Sequence, residues 1–313
     1  MSGEPGASSP RNRLAVAGAR ATTAAMLSDR PRTEAVRNAV FAALLMLSIL
    51  IALAGLVALI AQAFVEGRSA LSLDLFTNPP SVVNPANAGF QPAIVGSLEL
   101  IAGVILFVVP VGVGAALYLE EYADKSRWWN RVIEVNIQNL AAVPSIIYGI
   151  LGLGFIVRGP GDLGFVLAAG SLTLALLVLP IVIIASREAV RAVPDSIRQG
   201  SLALGATRWQ TIRRQVLPAS IPGILTGVIL AVSRALGEAA PLLLVGAVSF
   251  VTFNPEPLNG GYTALPVQIY QYAVRPQDEF KALAAAGVIV MLVVLLAMNS
   301  FAIWLRNRYE QRW

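Results

Sequence analysis

The sequence predicts an all-α, polytopic membrane protein with six transmembrane helices and both termini in the cytoplasm. Three observations predict it. Of the 313 residues, 56% are hydrophobic and only 13% are charged, about half the charge of a typical soluble domain. Six stretches are long and apolar enough to cross a hydrocarbon core of about 30 Å. The basic residues gather on alternate sides of those stretches, which sets the orientation.

In chain order, residues 1–35 are rich in Ser, Ala, Gly, Pro and Arg without an apolar period. A disordered cytoplasmic tail is expected there, with a transmembrane domain over residues 36–313. The first span is Asn38 to Phe64, too long for a signal-peptide core and without a small-residue cleavage pattern, so it is a retained helix. The second is Ile94 to Leu119, and the third runs from about Ile137 to Val157 with a polar lead-in. The fourth is Leu163 to Ser186, the fifth Ile221 to Val245 and the sixth Ala282 to Leu305. The two longer outside loops, about Val65 to Ala93 and Ser249 to Glu279, carry Asn-Pro, Pro-Pro and Gly-Gly turn signals. No internal repeat stands out.

Eighteen of the 23 basic residues fall on one side: Arg11, Arg13, Arg20, Arg30, Arg32 and Arg37 before span one; Lys125, Arg127 and Arg131 after span two; Arg187, Arg191, Arg198, Arg208, Arg213 and Arg214 after span four; and Arg306, Arg308 and Arg312 in the tail. The opposite loops hold Arg68, Arg158 and Arg275, with Lys281 at a boundary. By the positive-inside rule the rich side is cytoplasmic. The net charge of +5 and the pI near 9.9 therefore reflect topology, and no nucleic-acid partner is expected.

The chain has no cysteine and no histidine. Thiol nucleophiles, thiolate or imidazole metal sites and histidine acid–base schemes are excluded, and no cofactor or metal is expected. The only lysines, Lys125 and Lys281, follow Asp124 and Phe280, so neither completes GxxxxGK[ST]. If ATP is used, another chain hydrolyses it. The protein is expected not to be an enzyme by itself.

The cytoplasmic loop over about residues 187–220 is unusually long. Its first segment breaks at Pro194, after which Asp195 and Ser196 offer caps for a short helix through about Leu204. Gly205 suits the left-handed residue that ends it. Thr207-Arg208-Trp209-Gln210 matches a capping box that starts a second helix, expected to stop at Leu217-Pro218 and Pro222. Two readings are open: an ordinary solvated connector, or a rigid knob that docks on a cytoplasmic partner and passes its motion to spans four and five.

Charges within the spans are the second candidate site. Arg234 and Glu238 lie in span five at i and i+4, where they share a helical face and can pair. A lone central arginine costs about 2.5–3.5 kcal/mol on insertion scales, so it needs a partner or a purpose. The pair either fixes helix rotation in the bundle or forms part of an anion pathway. A guanidinium offers planar, permanently charged donors to two oxyanion oxygens, and Glu238 would hold it in place. Glu99, early in span two, faces either the bundle or an aqueous vestibule. Pro144-Ser145 inside span three frees a backbone carbonyl, for a pathway or a simple kink. Gly223 and Gly227 form a GxxxG pair suited to close helix packing.

Several motifs converge on a resemblance. Gly205 followed 12 and 13 residues later by Leu217-Pro218 is similar to the EAA---G---------I-LP loop of bacterial ABC importer permeases. The Glu-Ala-Ala positions are here Gln199-Gly200-Ser201, and the Ile position is Gln215. More specific are Ala206 to Pro218 and Gly237-Glu238-Ala239-Ala240-Pro241, with Ala93 to Gly96, Gly112 to Tyr122, and Val143-Pro144-Ser145-Ile146-Ile147-Tyr148-Gly149. The pattern, over roughly residues 90 to 313, resembles the PstA-type permease subunits of high-affinity phosphate ABC importers, within the binding-protein-dependent importer permeases.

That resemblance implies a type I ABC importer permease fold in the plasma (inner) membrane, moving inorganic phosphate inward with ATP hydrolysed elsewhere. It implies a heterodimer with a second, homologous permease subunit, two cytoplasmic ABC ATPase subunits and an extracytoplasmic phosphate-binding protein. Gln199, Gly200, Ser201, Gly205, Leu217 and Pro218 would form the ATPase-coupling loop. Arg234, Glu238, Pro144 and Ser145 would line the substrate pathway. The nearest alternative changes the cargo to tungstate, molybdate or sulfate. More distant ones are an ATPase-independent secondary transporter and a membrane scaffold.

Overall fold

The computed structural model describes residues 32–124, 126–247 and 250–309, and every element among them is helical. Most of the expected tail, residues 1–31, lies outside the described residues. Two compact units are distinguished, Met1–Ala61 and Gln62–Trp313. The described part of the first lies in helix α1, Arg32–Gly67. Its apolar side chains, among them Phe41, Ile49 and Leu59, are exposed, as suits a helix whose solvent is lipid.

The second unit is built around three long helices. Helix α3, Gln91–Leu117, ends in a π-turn over Tyr118–Tyr122; the short helix α2, Asp74–Thr77, precedes it. Helix α6, Leu167–Arg191, packs along α3 and along α9, Leu217–Gly237. Small residues let the backbones approach. A Cβ on Gly112 would lie 2.8 Å from Val182 Cγ1, and one on Gly223 would lie 2.6 Å from the Ala189 methyl. Gly227 meets Ala185 in the same way. The GxxxG pair of span five is thus answered by Ala185 and Ala189, themselves four apart on span four, which is how helices associate where burial in lipid offers no hydrophobic gain.

Between α3 and α6 the chain forms α4, Trp128–Ala141, and α5, Ser145–Leu151, the latter continued by a π-turn over Gly152–Val157. After α6 come α7, Asp195–Ala203, and α8, Arg208–Thr211, joined to α9 by a π-turn over Ile212–Val216. Beyond α9 lie α10, Ala240–Leu244, α11, Leu265–Ala273, and α12, Asp278–Tyr309. A second apolar cluster closes the end opposite the long loop. Tyr272 meets Phe90 edge-on at 5.3 Å and stacks on Phe280 at 5.6 Å. Burial pushes its phenol up to about 12, so the hydroxyl stays protonated and donates to the Gly89 carbonyl at 3.2 Å.

Five described helices are long and apolar enough to cross a membrane, or six spans if the bent pair α4 and α5 counts as one. Four sequence expectations change. The third span is not continuous: α4 and α5 meet at 108° across Ala142–Pro144, because Pro144 adopts an extended ψ of 138° and serves as the N-cap of α5. The fifth span is helical only to Gly237, where Glu238 turns extended with ψ 116°. Pro194, rather than Asp195 or Ser196, occupies the N-cap of α7. Finally, Leu217-Pro218 and Pro222 do not stop a helix. Helical structure runs from Arg208 to Gly237, with the π-turn at Ile212–Val216 placed just before Pro218. Pro218 stands in the first turn after that π-turn, where its missing N–H loses least, whereas Pro222 is carried inside α9.

Candidate functional site

The long loop after α6 is two short helices about a glycine turn. Gly205 has φ +82°, a left-handed conformation that only glycine adopts without strain. Its N–H and that of Ala206 bond back to the Leu202 and Ser201 carbonyls, closing the end of α7. The capping box then starts α8. The Gln210 amide donates to Thr207 Oγ1 at 3.3 Å, and the Thr207 amide donates to Gln210 Oε1 at 2.9 Å. Ser201 Oγ and Thr211 Oγ1 lie 2.9 Å apart, pinning the two helices together. Between them is a cleft of about 410 Å³ bordered by Gly200, Ser201, Leu204, Gln210 and Gln215. Leu204 at the tip is 91% exposed. Gln199, Gly200, Ser201 and Gly205 therefore share one protruding corner, while Leu217 and Pro218 sit at the root of α9.

The root of this loop is fixed by charge. Glu120 and Glu121 stand in the π-turn that ends α3. Glu120 accepts from Arg191 Nε and Nη2, each at 3.1 Å. Arg187 on α6 reaches Glu134 on α4 at 2.9 Å and Glu120 at 3.5 Å. Glu121 accepts from Arg198 on α7 at 2.8 and 3.0 Å. These carboxylates are nearly buried: the Glu120 and Glu121 side chains are 6% and 9% exposed. Such pairs add little net stability, but removing one partner strands a buried charge at about 3–5 kcal/mol.

The second site is where two spans break side by side. Helix α9 ends three residues beyond Arg234, and Glu238 is the residue that leaves the helix. Arg234 Nε and Glu238 Oε1 are 3.5 Å apart, with the side chains 45% and 19% exposed. The two charges do face each other, though across a helix terminus rather than along an uninterrupted helical face. A cation in the last turn also complements the helix dipole. On the neighbouring segment, Pro144 and Ser145 form the break before α5, and Pro144 is exposed. Helix α5 packs on α10, the piece of span five beyond the break: a Cβ on Gly149 would lie 2.7 Å from Pro241 Cα. Tyr148, one turn into α5, donates to the Leu140 carbonyl at 2.8 Å and lies within electrostatic reach of Arg234. Irregular backbone at membrane depth is tolerated only where protein or a water-lined path covers it, and paired helix breaks are a recurrent setting for ion and substrate sites.

Comparison with known proteins identifies the architecture. Residues 108–313 match the family described as "Binding-protein-dependent transport system inner membrane component". The chain belongs to this family. The permease is 34% identical over 282 residues to the "Phosphate transport system permease protein PstA" of Yersinia pestis, covering 89% of this chain and 94% of that one. It is 36% identical over 256 residues to the Haemophilus influenzae protein of the same name, covering 82% and 88%. A crystal structure of a bacterial alginate ABC transporter bound to its pentasaccharide-loaded periplasmic protein superposes with a TM-score of 0.62 at 18% identity, over 87% of this chain and 95% of that one. An inward-facing MetNI methionine ABC transporter gives 0.55 at 17% identity, over 71% and 95%. The fold of the permease is that of the type I ABC importers, in a multi-pass protein of the inner membrane.

Among the residues singled out from sequence, the permease brings Pro144 and Ser145 to the same region as Arg234 and Glu238, and groups the loop residues apart from them. Glu99 faces a cavity of about 750 Å³ between α3 and α6, shared with Phe107, Leu167, Ser171 and Pro257. Sequence reading missed two features. Asn299 on α12 accepts from Ser233 Oγ at 2.6 Å, one residue from Arg234; a polar residue inside span six was the available signal. The acidic partners of the loop arginines were also missed. Glu120-Glu121 was visible as a doublet, but nothing in its spacing pointed to residues some 70–80 positions away.

Proposed function

We propose that this permease passes inorganic phosphate inward across the plasma membrane. It does so beside a second, homologous permease subunit, with ATP hydrolysed by two cytoplasmic ATPase chains and substrate delivered by an extracytoplasmic phosphate-binding protein. One observation carries the cargo: the chain is 34–36% identical, across most of its length, to permeases named for phosphate transport. The capped loop at Gln199–Pro218 supports the coupling role, because a rigid two-helix corner presents an exposed apolar tip, Leu204, to a partner and leads directly into α9.

In this reading, movement of the ATPases displaces the loop and switches the bundle between outward and inward access. The break at Pro144-Ser145 and the break at Glu238 together form part of the path. Arg234 meets the anion there. Its planar fork matches two phosphate oxygens, and its partial exposure leaves donors free. Glu238, at 3.5 Å, orients the guanidinium without saturating it, which favours transient contact over trapping.

The test is uptake of labelled phosphate by proteoliposomes containing the complete transporter with ATP on the ATPase side. Phosphate uptake that excess sulfate, molybdate or tungstate does not suppress is expected. Uptake of one of those anions in preference to phosphate would replace the cargo. Uptake that persists without the ATPase chains would replace the mechanism with secondary transport.

A further inference from the structure

We infer that Glu121 is a positioning residue for energy coupling: it clamps both helices of the cytoplasmic loop to the end of span two, so that displacement of the loop is delivered to span two as well as to spans four and five. The inference rests on the reading above that this loop receives the ATPase.

The geometry is one of convergence. Arg198 of α7 sends Nε and Nη2 to Glu121 Oε1 at 3.0 and 2.8 Å. The same guanidinium donates to the Val190 carbonyl at 2.9 Å, to the Val193 carbonyl at 2.5 Å and to Asp195 Oδ1 at 3.2 Å. It therefore binds the end of α6, the start of α7 and the end of α3 in one planar group. From the other side of the Gly205 turn, Arg208 of α8 donates to the Glu121 backbone carbonyl and lies over the Tyr122 ring at 5.1 Å. One π-turn residue thus holds the helix before the glycine and the helix after it.

A loop tethered only by its two chain ends would transmit a push to α6 and α9 and bend elsewhere. A short, charge-assisted and nearly buried clamp removes that freedom, since a guanidinium with several fixed acceptors has no alternative rotamer of similar energy. Stability is a poor reason for the arrangement, because apolar groups of the same volume would serve as well. Its setting in a π-turn fits a functional position, as such bulges concentrate at functional sites. Neighbouring Glu120 extends the lattice, joining Arg191 at 3.1 Å and Arg187 at 3.5 Å, and Arg187 in turn reaches Glu134 of α4.

The absence of cysteine from the chain makes the clamp measurable. Spin labels at L204C, on the loop tip, and Y118C, at the head of the π-turn, report the distance across it in the assembled complex, with partner chains freed of cysteine. The expected distance distribution is narrow and has the same mean without nucleotide and with bound ATP. In E121Q the distribution broadens and its mean differs between the two states, while binding-protein stimulation of ATP hydrolysis falls roughly tenfold, a common size for coupling between sites. R198K, which keeps the charge and loses the fork, shows the same broadening, so the test survives if E121Q does not assemble. An unchanged, narrow distance in either variant overturns the clamp, whatever happens to hydrolysis. The distances are read without phosphate, so a wrong cargo leaves them untouched, and co-purification of the ATPase reports separately on whether the loop docks.

Discussion

Gly149 and Pro241 touch where the two broken spans meet, so closely that a Cβ at position 149 would lie 2.7 Å from the Pro241 backbone. The contact joins α5 to α10 just beside Arg234 and Glu238. It holds two interrupted helices against each other beyond their breaks, where irregular backbone needs neighbouring protein or a water-lined path.

Gly149→Ala is therefore expected to push these helices apart. Overpacking of this kind costs about 1–3 kcal/mol, and here it also shifts the path. Phosphate uptake should fall several-fold and the thermal transition of the purified complex should drop. Gly154→Ala is the control, since no atom lies within 4 Å of its added methyl; uptake and transition should both stay near wild type.

Gly205→Val tests the loop in a different way. A Cβ there meets nothing within 4 Å, so the cost is conformational only and arises from φ +82°. Strain of about 1–2 kcal/mol in the left-handed region should distort the corner and lower transport-linked ATP hydrolysis. Gly205→Asn, which tolerates that region, should retain most of it. Equal loss in both variants would show that the side chain, rather than the turn, matters.

The capping box makes a local prediction. Thr207→Ala removes the acceptor for the Gln210 amide, worth about 1 kcal/mol. Hydrogen exchange at that amide should accelerate about fivefold, with amides in the middle of α6 unaffected.

The long apolar spans, the capped loop and its glycine turn were legible in the sequence, because each follows from local chemistry: apolar runs, a Thr-x-x-Gln box, a glycine at a helix end. The break at Pro144 was legible as a kink but not as a 108° turn, since a proline marks a lost hydrogen bond without giving the direction the chain then takes. The end of α9 was hidden by Ala235 to Ala240, which is mostly good helix-forming sequence, and only Pro241 marks the restart at α10. Pro218 and Pro222 misled in the opposite sense: Pro218 falls in the first turn of α9, where a proline does not break a helix, and Pro222 is accommodated inside it. The charge lattice was not legible at all. Glu121 meets Arg198 from 77 positions away, through the packing of α3 on α6, and no local pattern encodes that distance.

Phosphate uptake by the Arg234→Gln variant, measured in proteoliposomes beside the yield of assembled complex, tests the central claim most directly. Glutamine keeps hydrogen-bonding capacity and most of the side-chain length but removes the charge and the planar fork. The prediction is normal assembly with uptake reduced by about thirtyfold or more, the effect of losing some 2–3 kcal/mol of charge-assisted contact along the path. Normal uptake, or lost uptake that merely tracks lost assembly, would contradict it.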